Sequence, residues 1–225
     1  MALFLSESFN HPPATDNVPE FPGTPIDLRN RHDDLSWTGY RNWSAEDLER
    51  GYLRVRMSRE DWLKLPEKPK SEWMRGWAYI MAPAANLHGI TQGKMYKLLS
   101  DQLPKAFVSI EYWLRFKGVT SDLVPDVVVT RAPTTKYDTQ PPIVAIEILS
   151  PGNWRYDKGE KADDYAKVGV AQYWLVDYTN RVITVEFNDS GAWVTHVVLS
   201  DFNPEADIVV SDLGTVHLDT RVLFG

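Results

Sequence analysis

The sequence contains no cysteine. A disulfide framework, a thiolate metal site, an iron–sulfur cluster and a cysteine nucleophile are therefore excluded, and nothing in the chain requires an oxidising compartment. No stretch approaches the roughly 18 apolar residues of a spanning helix, and the opening MALFLSESFN lacks the basic start and apolar length of a signal peptide. The expectation is a soluble, cytoplasmic chain. Positive charge is scarce as well: 24 Lys and Arg against 31 Asp and Glu give a formal net charge of −7. The deficit lies at the C-terminal end, where residues 176–225 carry 2 basic and 8 acidic side chains, while residues 76–175 carry 11 and 10. This is the opposite of the basic footprint of a non-specific nucleic-acid binder, yet the near-neutral middle leaves room for a local positive groove. The patterns G-x-x-x-x-G-K, G-x-G-x-x-G, G-x-S-x-G and H-E-x-x-H are all missing. Nucleotide hydrolysis, dinucleotide binding, serine esterase and zinc protease chemistry thus find no support.

What is present is a chain of 225 residues, 43 % apolar and 12 % aromatic, able to bury about 70 % of its unfolded surface. Five prolines between residues 10 and 35 (Pro12, Pro13, Pro19, Pro22 and Pro25) predict an irregular arm over residues 1–35, followed by a single domain over 36–225. Ser44 and Ser58, each followed by carboxylates, read as caps of two short helices. Asn86 opens a run of apolar residues at helical spacing that Pro104 stops, and Asp157 to Val168 reads as a second long helix ending at Gly169. Trp77–Met81 is a short apolar run that ends at Pro83, and strands are expected at Phe107–Phe116, Val127–Thr130, Ile143–Leu149, Gln172–Val176, Arg181–Phe187 and Ala192–Leu199. That order predicts an α/β (α+β) domain, a mixed β-sheet flanked by helices.

Two carboxylates interrupt this pattern. Glu147 is the only charge in the apolar run Ile-Val-Ala-Ile-Glu-Ile-Leu. Burying an unpaired carboxylate costs several kcal/mol, so it is paired, protonated or bound to a cation, unless it sits at a frayed strand end. Asp126 opens the β-branched run after Pro125, 21 residues earlier. If the two strands pair, Asp126 and Glu147 lie side by side, and two hard oxygen ligands suit Mg²⁺ or Mn²⁺ beside a phosphate; taken alone, Pro-Asp reads equally as a turn. Asp157, Lys161 and Tyr165 follow at i, i+4 and i+8, one stripe of a helix, whose bland interpretation is a solvated ion pair worth a few tenths of a kcal/mol. The surplus of Trp is better explained by packing than by base stacking.

The blocks Val124-Pro-Asp-Val-Val-Val, Val144-Ala-Ile-Glu-Ile-Leu-Ser-Pro, Asp157, Lys161, Tyr165, Gly169-Val and Tyr173-Trp-Leu-Val-Asp, in this order, resemble the Uma-type putative restriction endonucleases. The resemblance runs from about Arg59 to Phe187 and takes in Trp62-Leu-Lys-Leu-Pro, Gly76, Pro83 and His88-Gly. It implies a nuclease fold of the P-D-(D/E)-x-K type, with helices on both sides of a mixed sheet and a divalent-metal site at the end of two strands. It implies DNA as substrate, Mg²⁺ or Mn²⁺ as cofactor, Asp126 and Glu147 as metal ligands, and Lys161 as the amine that reaches back into the site. His88 matches a family histidine that binds phosphate or assists proton transfer; a lone His near a helix start is also commonly structural. The proline-rich arm and the aromatic surplus suggest a homodimer.

Two positions depart from the family pattern. Where members read Gly-Glu this chain reads Gly76-Trp77, and where the parent pattern has its lysine it has Leu149. Glu72 matches another acidic position and is the candidate to compensate. The alternative expectation these departures raise is a catalytically degenerate nuclease-fold scaffold or binding module.

Overall fold

The computed structural model describes residues 43–116, 119–133, 140–150 and 156–225. The arm expected over residues 1–35 lies outside them. Both short helices form: α1 (Ala45–Arg50) starts at Ser44, whose hydroxyl accepts the Asp47 N–H while the Asp47 carboxylate accepts the Ser44 N–H, and α2 (Arg59–Trp62) starts at Ser58. The long helix α3 (Asn86–Gln102) ends where Pro104 prevents continuation. The second, α4 (Ala162–Val168), is entered through a π-helical turn, Asp157–Lys161, that is broken at Gly159 and closes at the left-handed Gly169.

Strands β1 (Tyr52–Arg56), β2 (Ser71–Met74), β3 (Trp77–Met81), β5 (Leu114–Arg115) and β6 (Ser121–Leu123) form an antiparallel sheet in the order β1-β3-β2-β6-β5. Strands β4 (Phe107–Ile110), β7 (Val127–Thr130), β8 (Val144–Leu149), β9 (Gln172–Asp177), β10 (Val182–Asp189) and β11 (Ala192–Leu199) form a larger one in the order β11-β10-β9-β8-β7-β4. Its β8–β9 pair is parallel and its other pairs antiparallel, so the expected mixed sheet is present. The expected single strand over Phe107–Phe116 is not. Glu111 turns the backbone at φ 48°, its N–H bonds the Asp126 carbonyl, and the chain leaves one sheet for the other. The hairpin of β12 (Glu205–Val210) and β13 (Gly214–Asp219) was not foreseen.

Both faces of the large sheet are covered, which is why residues 144–149 read as a nearly unbroken apolar run. On one face Val127, Val129, Val144, Ile146 and Ile148 pack on Met95, Leu99 and Leu103 of α3 and on Ile208, Val210 and Val216 of the hairpin. On the other, Val128, Ala145, Leu149 and Tyr173 pack on Ala162 and Tyr165 of α4 and on Met74, Leu114 and Leu123 of the smaller sheet. Burial of each such large apolar side chain contributes about 1.5–3 kcal/mol. The Asp164 carboxylate, taking bonds from Ser121 and Arg75, ties α4 to the smaller sheet. The two sheets and α4 thereby converge on the end of β8 where Glu147 lies.

Candidate active site

The register of β7 on β8 pairs Val127 with Ile146, so the next pair outward is Asp126 and Glu147. The two carboxylates do stand at neighbouring strand ends, and both are buried, 5 % and 1 % exposed. The Asp126 carboxylate accepts the Ile148 N–H at 2.8 Å and the Lys70 ammonium at 2.9 Å, and His88 Nε2 lies 3.1 Å from it. His88 sits in the first turn of α3, which brings it over the head of β7.

Glu147 alternates with Ala145 and Leu149 on the face of β8 that meets α4. There the stripe of Asp157, Lys161 and Tyr165 is buried, so the solvated ion pair is overturned. Lys161 Nζ is 2.8 Å from Glu147 Oε1, 2.9 Å from Glu72 Oε1 and 3.6 Å from Asp157 Oδ1. The Tyr165 hydroxyl donates to Glu147 Oε1 at 3.0 Å, and Tyr173 donates to the Asp157 carbonyl at 2.9 Å. Glu72 arrives from the other sheet; its carboxylate accepts the Val124 N–H at 2.6 Å and the Tyr156 hydroxyl at 2.8 Å.

Charge rather than shape distinguishes this cluster. Burial opposes ionisation of Lys161, but Glu147, Glu72 and Asp157 outweigh it and hold its ammonium well above the ordinary lysine range. Burial pushes Glu147 well up, and Asp126, Asp157 and Glu72 add to this against the pull of Lys161. Asp157 is pushed up to about 7, by burial first and by Asp126 and Glu72 after it, against Lys161. Burial acts on Asp126 too, yet Lys70, His88 and Lys161 together hold its carboxyl well below the usual range. Burial and the adjacent carboxylates raise Tyr156, Tyr165 and Tyr173, which therefore stay protonated as donors. Four buried carboxylates, Glu72, Asp126, Glu147 and Asp157, face two ammonium groups, Lys70 and Lys161. With all four acids ionised the deficit is two positive charges, the charge of one Mg²⁺ or Mn²⁺ that would displace the protons burial favours on Glu147 and Asp157, and the donors are hard oxygens, so the residues fit such an ion.

Asp126, Glu147, Asp157, Lys161, Lys70 and His88 all line a cleft of about 630 Å³. Every site residue expected from the sequence thus reaches one place. Leu149, two residues beyond Glu147, is packed against the aromatic core, and the Lys161 amine comes to Glu147 from the helix. Trp77 is at the β2–β3 turn beneath the Arg54 guanidinium, 3.9 Å from its ring centre, and is not among the residues lining the cleft. Glu72 is the buried acid that this hairpin supplies. Sequence reasoning missed Lys70 and Tyr156. Lys70 lies in the charge-rich Pro66-Glu-Lys-Pro-Lys segment, where one lysine looks like another; its only signal is that it precedes Glu72 by two.

A mixed sheet with a carboxylate pair at the ends of adjacent central strands, sandwiched between helices, is a nuclease-like fold. Residues 59–216 match the model of the Uma2 family, described as putative restriction endonuclease, and the chain belongs to that family. An uncharacterized protein of Synechocystis sp., slr1290, is 28 % identical over 149 residues, which is 62 % of this chain and 78 % of the relative. Among solved structures, a putative nuclease belonging to DUF820 from Anabaena variabilis superposes with a TM-score of 0.62 at 23 % identity, covering 73 % of this chain and 96 % of that one. At that identity the likeness speaks for the fold. Among the described residues no helix is long and apolar enough to cross a membrane.

Proposed function

We propose that this protein is a metal-dependent DNA endonuclease that hydrolyses phosphodiester bonds. The observation that carries this is the cluster of four buried carboxylates and two ammonium groups, all but Glu72 lining the cleft and, with the four acids ionised, short by the charge of one divalent cation, in a family of putative restriction endonucleases. Asp126 and Glu147 would hold Mg²⁺ or Mn²⁺, which when bound polarises a phosphoryl oxygen and makes water more acidic. Lys161 and Tyr165 fix the Glu147 carboxylate from one side, which costs no reorganisation when charge develops. His88 Nε2 lies 3.1 Å from Asp126 Oδ2, the oxygen that also accepts the Ile148 N–H, and His88 lines the cleft. In the reaction a water oxygen forms a bond to phosphorus as a phosphoester P–O bond breaks. The water gives up one proton and the departing oxygen takes one, leaving a phosphomonoester and an alcohol.

The test is nicking of supercoiled plasmid at low salt with Mg²⁺ and then Mn²⁺, comparing the wild-type protein with Glu147→Ala from the same purification. Cleavage by wild type alone supports the nuclease. No cleavage by either, with no metal binding by calorimetry, supports the degenerate scaffold that Trp77 and Leu149 raised. We also infer a cytoplasmic homodimer in which residues 1–35 reach the second copy. A monomer mass by light scattering, unchanged on deleting residues 1–35, overturns that part.

A further inference from the structure

Three lysines line the cleft. Lys68 lies at its rim, 78 % exposed and 3.4 Å from Glu111, and the two that touch the acid cluster, Lys70 and Lys161, are held in different ways. Lys161 is 2 % exposed and hemmed in by three carboxylates from three elements. It is a structural cation, since its removal would leave buried carboxylates without a counter-charge. The Lys70 side chain is 20 % exposed, and its hydrogen bond among the described residues is the one to Asp126 Oδ1 at 2.9 Å. Its main chain is fixed, because the Lys70 carbonyl accepts the Met81 N–H at 2.8 Å beside the head of β2. The two-residue repeat of a strand puts Lys70 on the same side as Glu72, toward the cluster. An ammonium has three donors on a flexible four-carbon stem, so the Asp126 bond leaves donors over.

We propose that Lys70 is the amine that meets the scissile phosphate, and that it reaches it by leaving Asp126. Without a divalent ion, Lys70 is the counter-charge of Asp126. With an ion held by Asp126 and Glu147, the ion takes over as the direct counter-charge of Asp126, and Lys70 is free to turn from it while its charge stays in the cleft. An arriving phosphodiester brings one new negative charge, and Lys70 is the ammonium beside the Asp126 and Glu147 carboxylates with donors to offer it, Lys68 being directed to Glu111 at the rim. Its protons stay on nitrogen and no bond to phosphorus forms; it lends charge to a non-bridging oxygen. The two lysines thus divide the work, Lys161 ordering the acids and Lys70 holding the substrate. This inference rests on the nuclease reading.

The experiment uses the full chain with Lys70→Met and Lys70→Arg. Mn²⁺ affinity is measured by calorimetry without DNA, and nicking is measured in parallel. Lys70→Met should bind Mn²⁺ several-fold more tightly than wild type, since its competitor at Asp126 is gone, while nicking falls about 100-fold, the cost of losing one positioned donor. Lys70→Arg should bind Mn²⁺ like wild type and recover part of the nicking. Unchanged or weaker Mn²⁺ binding by folded Lys70→Met overturns the exchange, and undiminished nicking overturns the phosphate contact. Wild type that neither binds Mn²⁺ nor nicks overturns the nuclease reading itself, and the inference with it. If Lys70→Met does not fold, failure of Lys70→Gln to alter either readout counts against the inference in the same way.

Discussion

Lys161 Nζ stands 2.8 Å from Glu147 Oε1, although the lysine lies 14 residues further along the chain and on a different element. The amine that a lysine at position 149 would supply from the same strand face comes instead from a helix packed over it. The π-helical turn and the break at Gly159 set the approach, and the Asp164 bonds to Ser121 and Arg75 hold α4 down. Lys161→Met should therefore harm the fold as well as the chemistry. Removing one partner of a buried ionic cluster costs about 3–5 kcal/mol, and here it strands Glu72, Glu147 and Asp157 together. Urea denaturation of the metal-free variant measures this; a loss below about 1 kcal/mol would mean the carboxylates relax into water.

Asp126 is held well below the ordinary carboxylate range, because Lys70, His88 and Lys161 outweigh the effect of burial. It is thus ionised at neutral pH, ready to take a cation without releasing a proton. Asp126→Asn removes the charge and keeps the shape. We expect Mn²⁺ affinity to fall at least tenfold by calorimetry and metal-dependent nicking to vanish, with far-ultraviolet circular dichroism unchanged. Retained affinity would move the cation to Glu72, Glu147 and Asp157.

How much of this was visible in the sequence depended on how local the cause was. Asp126 and Glu147 stood out because a carboxylate in a β-branched or apolar run violates a pattern, and the two-residue period fixes where it points. The helices at Ser44, Ser58 and Asn86 were legible for the same reason, since caps and spacing act within one turn. Lys70 was not legible, because its role comes from a sheet pairing that brings residues 70 and 126 together, and nothing near it in the chain registers that. The misread strand at Phe107–Phe116 is a similar case. Its alternation is real, but the turn at Glu111 answers to the Asp126 carbonyl, 15 residues further on.

The charge deficit predicts how the fold responds to metal. Four buried carboxylates share two ammonium groups, so in the ion-free protein Glu147 and Asp157 are pushed up and ionise at a cost, and an ion that binds only the folded state should stabilise it strongly. At 100 times its dissociation constant such an ion contributes about 2.7 kcal/mol. Wild type should melt several degrees higher with saturating Mn²⁺, by differential scanning fluorimetry. Glu147→Gln should show a smaller shift, and Ca²⁺ should substitute in part, since it too takes oxygen ligands. No shift with any of these ions would mean that protons, and not a cation, fill the deficit.

Asp122, away from the cleft, governs the response of the fold to acid. It is 1 % exposed on β6, and its carboxylate accepts bonds from Arg59, from Arg115 at 2.9 Å and from the Trp113 indole at 3.2 Å, joining α2, β5 and β6. Burial alone would raise its carboxyl, but the hydrogen bonds and charges of Arg59 and Arg115 prevail, and it lies below the ordinary value of 3.8. A depressed acid binds fewer protons folded than unfolded, so its contribution is complete above pH 3.8 and is lost as the pH falls through the lower folded value. Asp122→Asn should therefore be less stable than wild type by about 3 kcal/mol at pH 7, the cost of leaving two guanidinium groups without their anion. The gap should narrow as the pH falls from 3.8 through the lower folded value, below which wild type carries a neutral acid at the same place. Urea midpoints for both proteins from pH 2.5 to pH 7 test the sign directly. A gap that stays constant with pH would assign the stabilisation to shape and packing at position 122 rather than to its charge.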